Sequence, residues 1–300
     1  METKMKYKIV IDSACDLSYQ EALDLDWGFL PLDVEVDGQV YEIGKEMFLK
    51  QYAEIYRKNP KIKSLTNATP IGKAQAIIDQ YIEEGYDKVI VYTMSKCLSS
   101  QNSNLKMLYK DNPKVYVVDS KKIAFLIVKD LMKFDVAMKK GIPFEKAVKI
   151  FDEEFETILL IPEFNDALVA GGRLSKPAAV IAKLLKIVPI IEFSKNGELV
   201  KYGMGHVFSK TVSKMIKELW EKFNDKKNID KYEFVICNAD NQKIDEIVKE
   251  VKEITQFKEV LCFELPTVIT VHTGVGAITL SIAKIDPEIR ENYHKYGQIK

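Results

Sequence analysis

Three segments end an apolar run on small polar residues: Lys8 to Ser18 reads KIVIDSACDLS, Val89 to Ser95 reads VIVYTMS and Val115 to Ser120 reads VYVVDS. Asp12-Ser13, Thr93 with Ser95, and Asp119-Ser120 are thus carboxylates and hydroxyls delivered where buried strands stop. The segment from Ser95 to Asn102 adds Ser99, the polar stretch SLTNATP from Ser64 to Pro70 adds Thr66 and Thr69, and VITVHTGVGA from Val268 to Ala277 sets His272 beside two glycines. Hydroxyls and an imidazole donate hydrogen bonds to an anion. The same groups also offer a nucleophile with a base, Ser99 or Cys97 with His272. Against that stand the absence of a G-x-S-x-G elbow and of a G-x-x-x-x-G-K-[ST] phosphate loop.

Each residue has a plainer reading. Ser99 serves as a helix N-cap, as an anion contact, or as both, because a helix N-terminus favours negative charge. His272 is a structural histidine or a ring donor. Asp12 and Ser13 are a strand-end turn or supports of a site. Aromatics such as Phe125, Phe151 and Phe164 read as core.

Composition narrows the class. The 300 residues carry 44 Lys plus Arg and 44 Asp plus Glu, so the formal net charge is zero. A general nucleic-acid binder needs a basic surplus. The apolar share of 47% is that of a globular chain. No segment approaches the roughly 20 apolar residues of a membrane span, and no secretory signal precedes the first strand, so a cytoplasmic location is expected. Cys15, Cys97, Cys237 and Cys262 are far apart, without C-x-x-C spacing, and read as thiols of a reducing compartment. The three histidines, His206, His272 and His294, lack metal-ligand spacing, so neither a metal nor a cofactor is expected.

The elements that must position these groups follow in order. Ser18 caps a short helix with Glu21 three residues on. Asp37-Gly38 joins two extended runs as a hairpin. Helices are expected over 45–58, from Thr69-Pro70 to about Glu84, over 99–109, over 123–140 and over 144–155. Strands alternating with these helices indicate a parallel α/β layer. The second half differs: strands over 157–161, 188–193, 199–204, 234–238 and 260–264, a hairpin at Asn196-Gly197, and helices over 210–223 and 242–253 make a mixed sheet. Val268 to His272 reads as a further strand. The expected domains are 1–160, 161–285 and a C-terminal tail, 286–300.

Five segments carry a resemblance. IDSACDLS is similar to the I-x-D-S-x-x-D-L opening of DegV proteins, SKCLSSQNSN to their S-x-x-L-S-G-T-Y-Q-S, and Gly171 to Ser175 to their G-G-R-[IL]-S turn. His272 to Ala277 resembles their H-T-G-P-G-A and, loosely, LTNATP resembles T-S-Q-P-[ST]-P. The five occur in family order from residue 8 to about 284, nearly the whole chain.

The resemblance implies a two-domain α/β fold and a bacterial, non-catalytic carrier that holds a palmitate- or oleate-like fatty acid in an inter-domain tunnel. It implies carboxylate contacts from Ser99, His272, Thr66 and Ser13. It also implies a fatty acid kinase as a partner, with Arg173 as its contact; the plainer reading of Arg173 is a solvated turn. A lipid-acting hydrolase and a regulatory protein with a structural lipid remain as alternatives. The family's first threonine in T-S-Q-P falls on Leu65, its serine on Thr66, its glycine after L-S on Ser100, and a head-group arginine on Phe208. A less polar head-group site is still workable: burying about 14 methylenes yields roughly 11 kcal/mol gross, of which association consumes several.

Overall fold

The computed structural model describes residues 5–15, 17–183 and 186–300. In chain order the first elements are β1 (Tyr7–Asp12), α1 (Tyr19–Asp24), β2 (Gly28–Leu30), β3 (Asp33–Val36), β4 (Gln39–Glu42), α2 (Leu49–Lys58) and β5 (Ser64–Asn67). They are followed by α3 (Ile71–Glu83), β6 (Lys88–Tyr92), α4 (Gln101–Leu108), β7 (Val115–Val117), α5 (Phe125–Lys139) and α6 (Phe144–Ala147). Then come β8 (Ile158–Ile161), α7 (Asp166–Gly171), α8 (Lys176–Ala182), β9 (Val188–Phe193), β10 (Leu199–Gly205), α9 (Phe208–Lys222) and β11 (Tyr232–Asn238). The last are α10 (Ile244–Ile254), β12 (Val260–Glu264), α11 (Thr267–Thr273), β13 (Ile278–Lys284), α12 (Pro287–His294) and β14 (Gln298–Ile299). The chain divides into two compact units, one holding the chain up to Phe48 with Lys61–Glu153, the other Leu49–Pro60 with Glu154–Lys300.

The first unit is built on a wholly parallel sheet of order β2-β1-β6-β7. Its strands are short apolar runs because helices bury both faces, as parallel sheets require. Val10, Val89, Val91 and Val115 meet Ala74 and Ile78 of α3 and Leu105 of α4 in one core. A separate three-stranded antiparallel sheet has the order β4-β3-β5. Its hairpin turns on Asp37 and Gly38, both at positive φ, 51° and 84°, which matches the right-handed twist of the paired strands. At Ser18 the capping box is complete, with side chain and backbone bonded reciprocally to Glu21.

Two local expectations are corrected in this unit. Ser64 to Asn67 is a strand, not a loop: it pairs with β3 from Asp33↔Asn67 to Val36↔Ser64. Its polar alternation is that of an edge strand with one wet face, where Leu65 is 61% exposed. Thr69 does not cap α3. Pro70 holds the N-cap position without a side-chain bond, and the Thr69 hydroxyl donates to Pro31 O instead.

The second unit is a seven-stranded mixed sheet of order β10-β9-β8-β13-β11-β12-β14. Only β11 and β12 run parallel among these pairs. Its core joins Leu159, Ile190, Phe234, Ile236 and Leu280 of the sheet to Val212 and Ile216 of α9 and Val248 and Val251 of α10. The expected strand at Val268 to His272 is helix α11, because short buried apolar runs do not distinguish strand from helix. Thr270 and Thr273 bond back to the carbonyls of Leu265 and Ile269, which removes the usual objection to threonine in a buried helix. Residues 286–300 are structured: Asp286 caps α12 with Pro287 in its first turn, Tyr293 is fully buried, and β14 closes the sheet edge against β12. Among the described residues no helix is long and apolar enough to cross a membrane.

Candidate functional site

The strand ends of the first unit converge on one buried carboxylate. Asp12 is 0% exposed. Its Oδ1 accepts from Ala14 N at 3.2 Å, and its Oδ2 accepts from Met94 N at 2.9 Å and Gln101 Nε2 at 3.3 Å. Burial pushes its carboxyl up to about 7, against the opposing pull of those three N–H donors. Gln101 continues the network. Its Oε1 accepts from Thr69 N at 2.7 Å, and its own N–H donates to Ser99 Oγ at 3.2 Å. The ends of β1 and β6, the start of α4 and the segment after β5 are thereby tied together.

Within this unit the expected residues take distinct places. Ser13 is buried, and its Oγ accepts from Leu32 N at 3.0 Å, fastening the end of β1 to the chain beyond β2. Ser99 is half-buried and lies two residues before α4; Ser100 takes the N-cap position, without a side-chain bond. A hydroxyl oxygen that accepts one bond still carries its own O–H donor. Thr66 is half-buried on β5, paired with Val34, on the opposite face of that strand from Leu65. The second Asp-Ser pair has another fate. Asp119 is exposed and ion-paired to Lys106 and Lys96 at 2.7 and 2.8 Å, and their hydrogen bonds hold its carboxyl below the usual range.

In the second unit the last turn of α11 presents His272, packed against the end of α7. A Cβ placed on Gly171 would stand 2.9 Å from His272 Nδ1 and 3.1 Å from its carbonyl oxygen. The first glycine of the Gly-Gly-Arg turn is therefore needed for this approach. The second, Gly172, ends α7 in the left-handed region at φ 66°. Arg173 is exposed, and its guanidinium donates to Gly171 O at 2.6 Å. Burial, helped by the Arg173 charge, pushes the His272 imidazole down to about 4, so the ring is neutral at pH 7. Near it in sequence, Gly276 at φ 88° lies against Glu163, whose carboxylate meets Asn241 Nδ2 at 3.4 Å. Phe208 opens α9 and packs against the core of this unit.

Sequence reasoning did not single out Gln101, Gly171 as a packing glycine, Asn241 or Glu163. Among the described residues no group of three or more His, Cys, Asp or Glu side chains is arranged to hold a metal ion.

Comparison with known proteins defines the class first. The fold matches that of a stearic acid-binding protein from Eubacterium ventriosum with a TM-score of 0.79 over 93% of this chain and 98% of that one, at 24% identity. A "DegV domain-containing protein" of Mycoplasmopsis pulmonis is 42% identical over 289 residues, covering 95% of this chain and 97% of the relative. A "Fatty acid-binding protein" of Thermotoga maritima is 28% identical over 298 residues, covering 94% and 99%. The family model described as "Uncharacterised protein, DegV family" matches residues 6–284. The chain belongs to the DegV family.

Proposed function

We propose that this chain binds a long-chain fatty acid and acts as a carrier, without catalysing a reaction on it. The observation that carries this reading is the full-length match to a relative named for fatty acid binding. In support stand Ser99, a loop hydroxyl that accepts from the Gln101 backbone N–H, and His272, a buried neutral imidazole. Ser99, Thr66 and His272 donate to the carboxylate; Ser13 fastens the end of β1 through Leu32 N. A neutral imidazole donates one N–H without adding a charge. The tail, palmitate- or oleate-like, lies in the tunnel that the family resemblance implies, and its methylenes supply most of the affinity. The cytoplasm is the setting in which four dispersed cysteines persist as thiols.

Arg173, exposed beside His272's helix, is proposed as a contact for a fatty acid kinase that takes the presented carboxylate. Native mass spectrometry of the protein expressed in bacteria is expected to show one acyl chain per polypeptide. Absence of lipid, together with no binding of added palmitate or oleate, overturns the reading. A fatty acid kinase with ATP is expected to form acyl phosphate from the loaded carrier, and more slowly from Arg173→Ala; equal rates remove Arg173 from the contact. Ester turnover that disappears in Ser99→Ala would establish a hydrolase instead.

A further inference from the structure

The hydroxyls assigned to the carboxylate stand on separate segments, Thr66 on β5 and Ser99 before α4. One residue links those two segments, through its backbone on one side and its side chain on the other. Gln101 is 2% exposed, and three of its groups are engaged: the backbone N–H donates to Ser99 Oγ, the side-chain Nε2 donates to Asp12, and the side-chain Oε1 accepts from Thr69 N, three residues past Thr66. An amide has a donor end and an acceptor end, and here each meets its opposite: the carboxylate takes the donor and the backbone N–H the acceptor. A methyl, a hydroxyl or a carboxylate at this position loses at least one of the two bonds. Asp12 in turn is held by Ala14 N and Met94 N, so the chain of bonds is anchored in the sheet itself, at the ends of β1 and β6.

We infer that Gln101 is a positioning residue for fatty acid recognition: its side-chain amide, anchored on Asp12, ties the segment that carries Thr66 and Thr69 to the start of α4, where its backbone N–H holds Ser99, and so sets the two hydroxyls for a carboxylate head group. This inference rests on the fatty acid reading above and adds the device that makes the head-group site selective. Gln101 stands where the S-x-x-L-S-G-T-Y-Q-S segment it resembles carries threonine, a side chain too short to span from α4 to both Asp12 and Thr69. The bridge therefore belongs to this chain's own residues. Tail burial does not pass through Gln101, so loss of its amide is expected to affect the head group alone.

The test compares palmitate with hexadecanol, which shares the tail and lacks the carboxylate, on wild-type protein and on Gln101→Met. Methionine fills a similar volume and removes both side-chain bonds. The expected result is a palmitate Kd raised about tenfold or more, the loss of well-placed bonds to a charged group, with the hexadecanol Kd changed less than about twofold. Equal weakening of both ligands, or of neither, overturns the inference while leaving the fatty acid reading standing. Failure of the wild-type protein to bind palmitate overturns both. Should Gln101→Met not fold, hydrogen exchange on the wild-type protein decides. The Thr69 and Met94 amides are expected to be more protected with palmitate bound than with hexadecanol bound, and equal protection contradicts the positioning role.

Discussion

The ends of β1 and β7 carry the same dipeptide, Asp-Ser, and put it to different uses. At β1 the carboxylate is sealed from water and gathers three N–H donors from three segments. At β7 it lies at the surface between two lysines. A central strand is flanked on both sides, so its end is roofed by neighbouring loops; β7 is the edge strand of its sheet, and its end meets solvent. Position in the sheet, not residue type, decides whether the carboxylate of such a pair is enclosed or left at the surface. A buried acceptor removed from its donors leaves them unsatisfied at about 1–3 kcal/mol each, whereas an exposed ion pair contributes about 0–1 kcal/mol.

The sharpest way to break this comparison is Asp12→Ala. It orphans buried donors on Ala14, Met94 and Gln101, and the expected loss is about 3–5 kcal/mol in urea unfolding. A loss under about 1 kcal/mol would place Asp12 with Asp119. Next in size is a pH effect that sets Asp12 against His272. The Asp12 carboxyl is raised to about 7 in the folded protein, so its contribution is full below its unfolded value near 3.8 and is lost as pH rises toward 7. The His272 imidazole is lowered to about 4, so its contribution is full above its unfolded value near 6.5 and is lost as pH falls toward 4, about 3 kcal/mol in all. Between pH 4 and 6.5 the two slopes oppose. In His272→Gln the urea midpoint is expected to fall as pH rises across that window, and in Asp12→Asn to rise; parallel curves for the two variants would refute the assignment. The smallest effect belongs to Asp119→Ala, expected within about 1 kcal/mol of wild type and insensitive to added salt beyond about 0.5 M, where exposed pairs are screened.

Much of the architecture was legible because it is written locally. Asp37-Gly38, Asn196-Gly197 and the Ser18–Glu21 box each specify their conformation within a few residues, and the structure has all three. What was not legible depends on partners distant in sequence. The central strand β13 was not anticipated: Thr279 and Ser281 interrupt its apolar pattern, and they are acceptable inside only because Cys237 N donates to Thr279 Oγ1 and Ser281 Oγ donates to Thr157 O. Helix α11 looked like a strand because Val268, Ile269 and Val271 favour both when fully enclosed. The candidate site divides in the same way. Asp12, Ser13, Ser99 and His272 could be named from their motifs, but Gln101 could not, since its meaning lies in Asp12, 89 residues away. The same holds for Gly171, whose missing side chain matters only because His272 lies against it.

The central claim is that a carboxylate-headed acyl chain is the ligand. Calorimetric titration of palmitate into delipidated protein tests it most directly. Saturable binding of one palmitate per chain, weakened roughly tenfold to a hundredfold in Ser99→Ala as expected for a lost bond to a charged group, is the predicted result. No saturable binding to the wild-type protein, or an affinity that Ser99→Ala and His272→Gln both leave untouched, would contradict it.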